Sequence, residues 1–292
     1  MLNMKSATTT KSEIMLEGII DYAGLFPPAN LDMQSHVNNW VAYGQSVDSW
    51  MLARLIIPAS RLDEFKRAAE SMLPGVDEEL WQLSVLLPQV SSDQFESAVQ
   101  ATIDFNMEEC GAVANVVEFK ANTTTEIDRA LSCLHDDLFP FIELPIDEDP
   151  RGLIASLSGT ISGAKVRTGG ITKDLYPTSA DLARFIHSCA VAGQTFKATA
   201  GMHHPTQHQN QTVGSLEFGF LSVLQATAAA SIGNANVEEV EEILSATSVD
   251  FSAYSEPQLE QVRAELFNSL GACSFDDPRK DLRSMGLLKE TT

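Results

Sequence analysis

The stretch TFKATAGMHHP, residues 195–205, has the pattern of a short buried strand that ends at a polar rim. A few apolar and β-branched residues lead into small residues, a glycine and a histidine pair, as is typical of a strand that runs into a loop. Seven further runs share this pattern, and longer stretches with helical spacing separate them. The eight runs are GIIDY (18–22), MLARLII (51–57), WQLSVLL (81–87), AVANVVEF (112–119), FPFIEL (139–144), GAKVRT (163–168), TFKATA (195–200) and LGACSF (270–275).

This alternation predicts an α/β fold, a closed (βα)8 TIM barrel with a helical insertion at about 235–270, before the last strand. The chain has 292 residues, of which 44% are hydrophobic, and such barrels usually need roughly 250 residues. An open doubly wound sheet is the alternative. It would need a GxGxxG loop after its first strand, where the chain has DYAGLFPPA (21–29). We expect residues 1–12 to form a flexible tail and residues 13–292 a single domain.

Composition limits the partners that the chain is expected to have. Its formal net charge is -21, and such a surface repels nucleic acid and anionic lipid. The first residues lack the apolar segment of a secretory signal, and no run approaches the ~18 apolar residues of a membrane span. We therefore expect a cytoplasmic protein that binds neither nucleic acid nor membranes. The four cysteines lack CxxC spacing, which disfavours a zinc site or a disulfide framework. Homo-oligomer formation is left open.

Charged residues concentrate at the C-terminal ends of the predicted strands, where TIM-barrel active sites lie. The carboxylates there are Asp21, Glu118 and Glu143, and the cations are Lys120, Lys165, Arg167 and Lys197. Lys165 and Arg167 are two residues apart, so they share one face of their strand. Four cations at one rim of so acidic a chain predict a local positive potential and a small anionic substrate.

The histidine pair His203 and His204 follows the seventh run and allows a different interpretation. With a strand-end glutamate, the pair would serve a metal-dependent lyase or isomerase. Adjacent histidines point in different directions, however, and no HExxH spacing is present, so we predict substrate binding and no metal site. A third interpretation is a non-catalytic barrel that only binds an anion.

Five segments carry a resemblance to a known family. They are IIDYAGLFPPA (19–29), FIEL (141–144), AKVRTGG (164–170), FKATAG (196–201) and GACS (271–274). In this order they resemble the first strand, the fifth strand, the two lysine-bearing strands and a phosphate-holding segment of the deoxyribose-phosphate aldolase family. These enzymes are class I aldolases built on a (βα)8 barrel. The resemblance implies a carbon–carbon lyase that acts through a lysine Schiff base and needs no cofactor.

The resemblance also implies roles for individual residues. Lys165 matches the Schiff-base lysine and Lys197 the second active-site lysine, although the two roles are exchangeable. The remaining candidates would bind the substrate, through backbone N–H groups or side chains: Asp21, Arg167, Gly169, Gly170, Gly201, His203, His204, Gly271 and Ser274. The family's fourth-strand aspartate is replaced by Asn115, which cannot relay a proton. We therefore expect Glu118, Glu143 or a water held by Asn115 to move protons.

Arg167, the histidine pair and the insertion are not part of the family pattern. The substrate therefore stays open, including whether its anionic group is a phosphate or a carboxylate.

A Schiff-base lysine must be neutral to attack a carbonyl, whereas the ordinary lysine pKa is ~10.4. Burial and a nearby cation both lower the pKa of a lysine. Lys197 lies on the strand predicted to neighbour that of Lys165, and Arg167 shares its face. We therefore expect both cations to keep Lys165 deprotonated.

Overall fold

The computed structural model describes residues 10–75 and 77–289. Their strands are β1 (Ile20–Tyr22), β2 (Leu52–Pro58), β3 (Trp81–Leu86), β4 (Ala112–Lys120), β5 (Phe139–Glu143), β6 (Gly163–Arg167), β7 (Phe196–Thr199), β8 (His208–Asn210), β9 (Ser215–Glu217) and β10 (Phe267–Ala272). All but β8 and β9 are parallel and close into a barrel in the order β1-β10-β7-β6-β5-β4-β3-β2. The predicted (βα)8 fold is confirmed, and the open doubly wound sheet is excluded.

The helices that alternate with these strands pack around the barrel. They are α1 (Lys11–Leu16), α2 (Met33–Gly44), α3 (Leu62–Ala69), α4 (Phe95–Met107), α5 (Thr124–Cys133), α6 (Arg151–Leu157), α7 (Ser179–Ala192), α8 (Phe220–Ser231), α9 (Val237–Ser245), α10 (Glu256–Glu265) and α11 (Asp276–Ser284). None of the helices in residues 10–75 and 77–289 is both long and apolar enough to cross a membrane.

Helix α7, which leads into β7, shows how local sequence sets an element's bounds. The Thr178 hydroxyl accepts a hydrogen bond from the backbone N–H of Asp181, whose carboxylate in turn accepts one from the Thr178 backbone. This reciprocal cap satisfies N–H groups that have no partner within the helix. At the other end Gly193 adopts φ 62°, a left-handed conformation that costs glycine little and stops the helix.

The apolar core lies between the barrel and its helices. Phe119 of β4 contacts Phe95 of α4, and Phe196 of β7 contacts Phe185 of α7, with ring centroids 5.2 and 5.5 Å apart. Side chains alternate across a strand, so the neighbours Glu118 and Lys197 point into the barrel instead. The helix-facing positions therefore hold the fold together, and the inward positions near the strand ends are free to carry polar groups.

The ends of the chain and the region before the last strand differ in detail from the prediction. Residues 1–9 of the predicted tail lie outside the described residues. Thr10 caps α1, and the Lys11 ammonium donates to the Tyr254 carbonyl at 2.7 Å, so the predicted boundary at residue 12 falls inside a helix. Helices α9 and α10 lie within the range 235–270, and β10 begins at Phe267, before that range ends. The β8–β9 hairpin was not predicted.

Candidate active site

A cavity of about 810 Å³ opens at the C-terminal ends of the barrel strands. This volume falls in the range of small-molecule sites, ~300–1,000 Å³. Glu118 and Lys165 lie at its floor, and the loops above form its walls. The wall residues include Phe26, Pro27 and Pro28 after β1, Arg167, Gly170 and Tyr176 after β6, His203 and His204 after β7, Asn210 to Val213 of the hairpin, and Gly271, Cys273, Ser274 and Asp277 at β10.

Lys165 lies between two carboxylates at the cavity floor. Its ammonium nitrogen is 2.9 Å from Glu118 Oε2 and 3.1 Å from Glu143 Oε2. The side chain is only 5% exposed, but it lines the cavity, so a ligand of the cavity would touch it. Arg167, two residues further along β6, pairs with Glu143 Oε1 at 3.2 Å and is 43% exposed. One carboxylate thus spans both cations of β6.

Lys197 lies deeper than Lys165 and has no exposed surface. Its ammonium donates to Glu118 Oε1 at 2.5 Å and to Asp21 Oδ2 at 2.5 Å. Glu118 therefore stands between the two lysines, with one oxygen toward each. Asp21 lies beneath the cavity instead of in its wall, and it pairs with Lys197 rather than with a cavity ligand.

Polar side chains from the interior of other strands complete this cluster. The Ser84 hydroxyl of β3 donates to Glu118 Oε1 at 2.6 Å, and the Ser269 hydroxyl of β10 donates to Asp21 Oδ2 at 2.8 Å. The Arg54 guanidinium of β2 lies 3.4 Å from Asp21 Oδ1. Buried charge is stable only when it is paired and hydrogen-bonded, so these contacts support the two lysines and their carboxylates.

The protonation of Lys165 differs from the prediction. Burial acts to lower its pKa, but the charges of Glu118 and Glu143 outweigh burial and raise the pKa above 10.5. Burial likewise acts to raise the pKa of both carboxyls, and the lysine charges outweigh it and lower both. The expectation that Lys197 keeps Lys165 neutral is wrong, because the Glu118 carboxylate lies between the two ammonium groups.

Asn115 is not brought into this cluster. It lies at an irregularity in the β3–β4 register, and its amide donates to Gln82 Oε1 at 2.6 Å. It precedes Glu118 by three residues, which places it roughly 10 Å further from the strand's C-terminal end at ~3.3 Å per residue. The structure therefore gives Asn115 no contact with Lys165, whereas Glu118 occupies the position between the lysines.

Most residues of the predicted anion cradle line one cavity, and two carboxylates line it as well. Gly170, Gly201, Gly271 and Ser274 line the cavity. Gly169 lies behind them, so close to the next loop that a Cβ there would come 2.8 Å from Gly201 Cα. The Ser274 hydroxyl accepts a hydrogen bond from the Asp277 backbone N–H. The carboxylates of Asp277 and Glu217 line the same cavity. Their negative charges oppose the binding of an anion next to them.

The two histidines have separate partners. His203 Nε2 lies 3.7 Å from the Cys273 sulfur, and His204 Nδ1 lies 2.5 Å from Asp281 Oδ2. Burial lowers the pKa of His203 more than the carboxylates of Glu217 and Asp277 raise it. Burial also raises the pKa of the Cys273 thiol. Within residues 10–75 and 77–289, no group of three or more His, Cys, Asp or Glu side chains is arranged to hold a metal ion.

Several residues of the site were not predicted from the sequence. Arg54 and Ser84 interrupt the apolar runs MLARLII and WQLSVLL at inward-facing positions, and this interruption is a usable signal. Tyr176 and Glu217 hydrogen-bond to each other at 2.9 Å, although 41 residues separate them. No local pattern predicts such a pair.

The chain was compared with models of known protein families and with curated proteins, and neither comparison found a match. The fold and the cluster define a TIM barrel with two buried lysines near the C-terminal ends of its strands.

Proposed function

We propose that the chain is a carbon–carbon lyase of the class I aldolase type, in which Lys165 forms a Schiff base with a small anionic carbonyl compound. The barrel fold is compatible with such a lyase. One observation carries the proposal: Lys165 lines the cavity beside two carboxylates, while Lys197 is fully buried beneath it. This difference in access supports Lys165 over Lys197 as the nucleophile.

The proposed reaction balances without an oxidant or reductant. The Lys165 amine attacks the carbonyl carbon, and loss of water gives a protonated imine. The bond between the carbons α and β to the imine then breaks. Its electron pair enters an enamine, while the β-hydroxyl loses its proton to a base and becomes an aldehyde. Protonation of the enamine and hydrolysis of the imine release the second product and restore Lys165.

The carboxylates would move the protons of this reaction. Glu143 lies 3.1 Å from the Lys165 nitrogen, within reach of its proton. The Arg167 charge contributes, after that of Lys165, to the lowered pKa of Glu143. A substrate anion that pairs with Arg167 would weaken this contact and make Glu143 a better proton acceptor. Substrate binding would thereby favour the neutral amine that attack requires.

Borohydride trapping tests the proposal directly. The protein is incubated with small aldehydes, ketones and 2-oxo acids, reduced, and analysed by intact mass and peptide mapping. We expect a reduced adduct on Lys165 and its loss in Lys165→Met. Lys120→Met is the matched control, because Lys120 is an exposed strand-end lysine outside the cavity wall. An undiminished adduct in Lys165→Met, or no adduct from any carbonyl with folded protein, contradicts the proposal.

A second candidate function is anion binding without catalysis, and the raised pKa of Lys165 favours it. An ammonium that keeps its proton attracts anions but cannot attack a carbonyl. Under this alternative, calorimetry would detect binding of a carboxylate or phosphate that Lys165→Met weakens, while trapping yields no adduct. The metal-dependent alternative is tested by elemental analysis of the purified protein and by the sensitivity of any turnover to a chelator.

A further inference from the structure

The strongly basic side chains that line the cavity lie close together on one strand, β6. Among the described residues that line it, the lysine and arginine side chains are Lys165 and Arg167, both on β6. Glu143 contacts both, through a different oxygen to each, at 3.1 and 3.2 Å. A single carboxylate therefore bridges the two cations. Arg167 is 43% exposed and is able to accept a second partner from the cavity.

The wall of the cavity near Ser274 disfavours a phosphate. Glu217 and Asp277 line it, and the first turn of α11 carries Asp276 as well as Asp277. These acidic residues already complement the positive end of the helix dipole. The Ser274 hydroxyl accepts a hydrogen bond from the Asp277 backbone, which holds it beside that carboxylate, and burial lowers the pKa of the neighbouring His203, which disfavours its charged form. A doubly charged phosphate would meet repulsion there without a cation to offset it.

Arg167 is thus the cation that could bind the charged group of an anionic carbonyl compound, and it lies next to Lys165, the proposed nucleophile. We infer that the substrate is a 2-oxo acid, whose carboxylate binds Arg167 while its carbonyl carbon reaches Lys165. This inference rests on the proposed Schiff-base function. In a 2-oxo acid the carboxylate is bonded directly to the carbonyl carbon, which suits two cations that a single carboxylate bridges. A phosphate ester carries its charge several bonds away from the carbonyl carbon.

The remaining walls indicate what else the substrate carries. Phe26 and Pro28 after β1, Ile171 and Leu175 after β6, and Val213 of the hairpin line the cavity with apolar surface. A substituent beyond the carbonyl would contact this surface and gain from its burial. The favoured substrate therefore has a charged 2-oxo acid end and an apolar end.

Trapping with matched carbonyl compounds tests the inference. Pyruvate is compared with acetone, which lacks the carboxylate, and with glycolaldehyde phosphate. For each compound the rate of adduct formation on Lys165 is measured in wild type, Arg167→Met and Arg167→Lys. Acetone reports the intrinsic reactivity of Lys165 in each variant, so any change that Arg167→Met causes through Glu143 cancels in the pyruvate-to-acetone ratio. Arg184→Met, on the exterior helix α7, controls for the loss of a partly exposed arginine.

We expect Arg167→Met to lower the pyruvate-to-acetone ratio about tenfold to a hundredfold, which is the usual strength of a contact to a charged group. Arg167→Lys should retain part of the ratio, and Arg184→Met should leave it unchanged. If Arg167→Met lowers the ratio of glycolaldehyde phosphate to acetone more than the ratio of pyruvate to acetone, or leaves the latter unchanged, the 2-oxo acid inference is overturned while the lyase proposal stands. If no compound forms an adduct, the lyase proposal itself fails, and the inference with it.

Discussion

Lys165 and Lys197 lie opposite each other in register on β6 and β7, yet their surroundings differ. Lys197 is fully buried and donates hydrogen bonds to carboxylates of β1 and β4, across the barrel interior. Lys165 pairs with carboxylates of β4 and β5, its neighbours on one side, and reaches the cavity. Equal positions on adjacent strands thus leave one lysine buried in the barrel interior and the other at the cavity floor.

Glu118 connects the two environments, because one oxygen faces each lysine. Its charge pairs with Lys197 and also acts to raise the pKa of Lys165. The same carboxylate therefore pairs with the buried Lys197 and also opposes the loss of a proton from Lys165, the proposed nucleophile. Substitutions that affect one lysine more than the other will separate these two contributions.

The largest effect is expected from Lys197→Met. It leaves Asp21 and Glu118 buried with one cation fewer, and breaking such a buried pair costs about 3–5 kcal/mol of unfolding free energy. Lys165→Met should cost less, about 1–3 kcal/mol, because Lys165 lines a cavity that admits water to the carboxylates left behind. Urea unfolding of both variants measures the difference. Equal losses would show that the two lysines contribute equally to the unfolding free energy.

The pH dependence of trapping should follow the raised pKa of Lys165. A raised pKa means that the ammonium form persists to higher pH, so between pH 7 and 10 the neutral fraction rises about tenfold per unit. The trapping rate with a neutral ketone should rise in the same proportion. A rate that levels off near pH 7 would indicate that Lys165 is already neutral at that pH. That result would favour the expectation drawn from the sequence over the raised pKa. Peptide mapping at each pH confirms that the adduct stays on Lys165.

A smaller effect is expected from the two buried serines, which support different parts of the cluster. Ser84→Ala removes a hydrogen bond to Glu118, and Ser269→Ala removes one to Asp21. Each should lower the unfolding free energy by about 1.5–3 kcal/mol, the range for hydrogen bonds to charged groups. Thermal and urea unfolding measure both losses. A neutral result for Ser84→Ala would mean that the two lysines alone satisfy Glu118.

The smallest effect is expected from Asn115→Ala. Its amide contacts Gln82 and no residue of the lysine cluster, so the adduct on Lys165 should form at the wild-type rate. The unfolding free energy should fall by about 1 kcal/mol, as for a single neutral hydrogen bond. Trapping kinetics measured beside those of wild type test this directly. A large loss of rate would place Asn115 in the chemistry, contrary to its position in β4.

The sequence predicted the barrel because its evidence is repeated eight times. Runs such as WQLSVLL and GAKVRT each have the pattern of a buried strand, and stretches with the spacing of a helix separate them. Charged residues at the ends of these runs also predicted that Glu118, Glu143, Lys165 and Lys197 would meet, since parallel strands bring their C-terminal ends to one rim. Asn115 was placed wrongly in this set by analogy, because the spacing alone does not show the register irregularity in β4.

The fold class and the meeting of the charged residues were thus determined by sequence, because both depend on periodicity along a strand. Tertiary structure alone decided which charges pair. Whether a carboxylate lies between Lys165 and Lys197 depends on distances across the barrel, and these set the direction of the Lys165 pKa. The acidic wall was decided in the same way, because Glu217 and Asp277 reach one cavity from segments that are far apart in the chain.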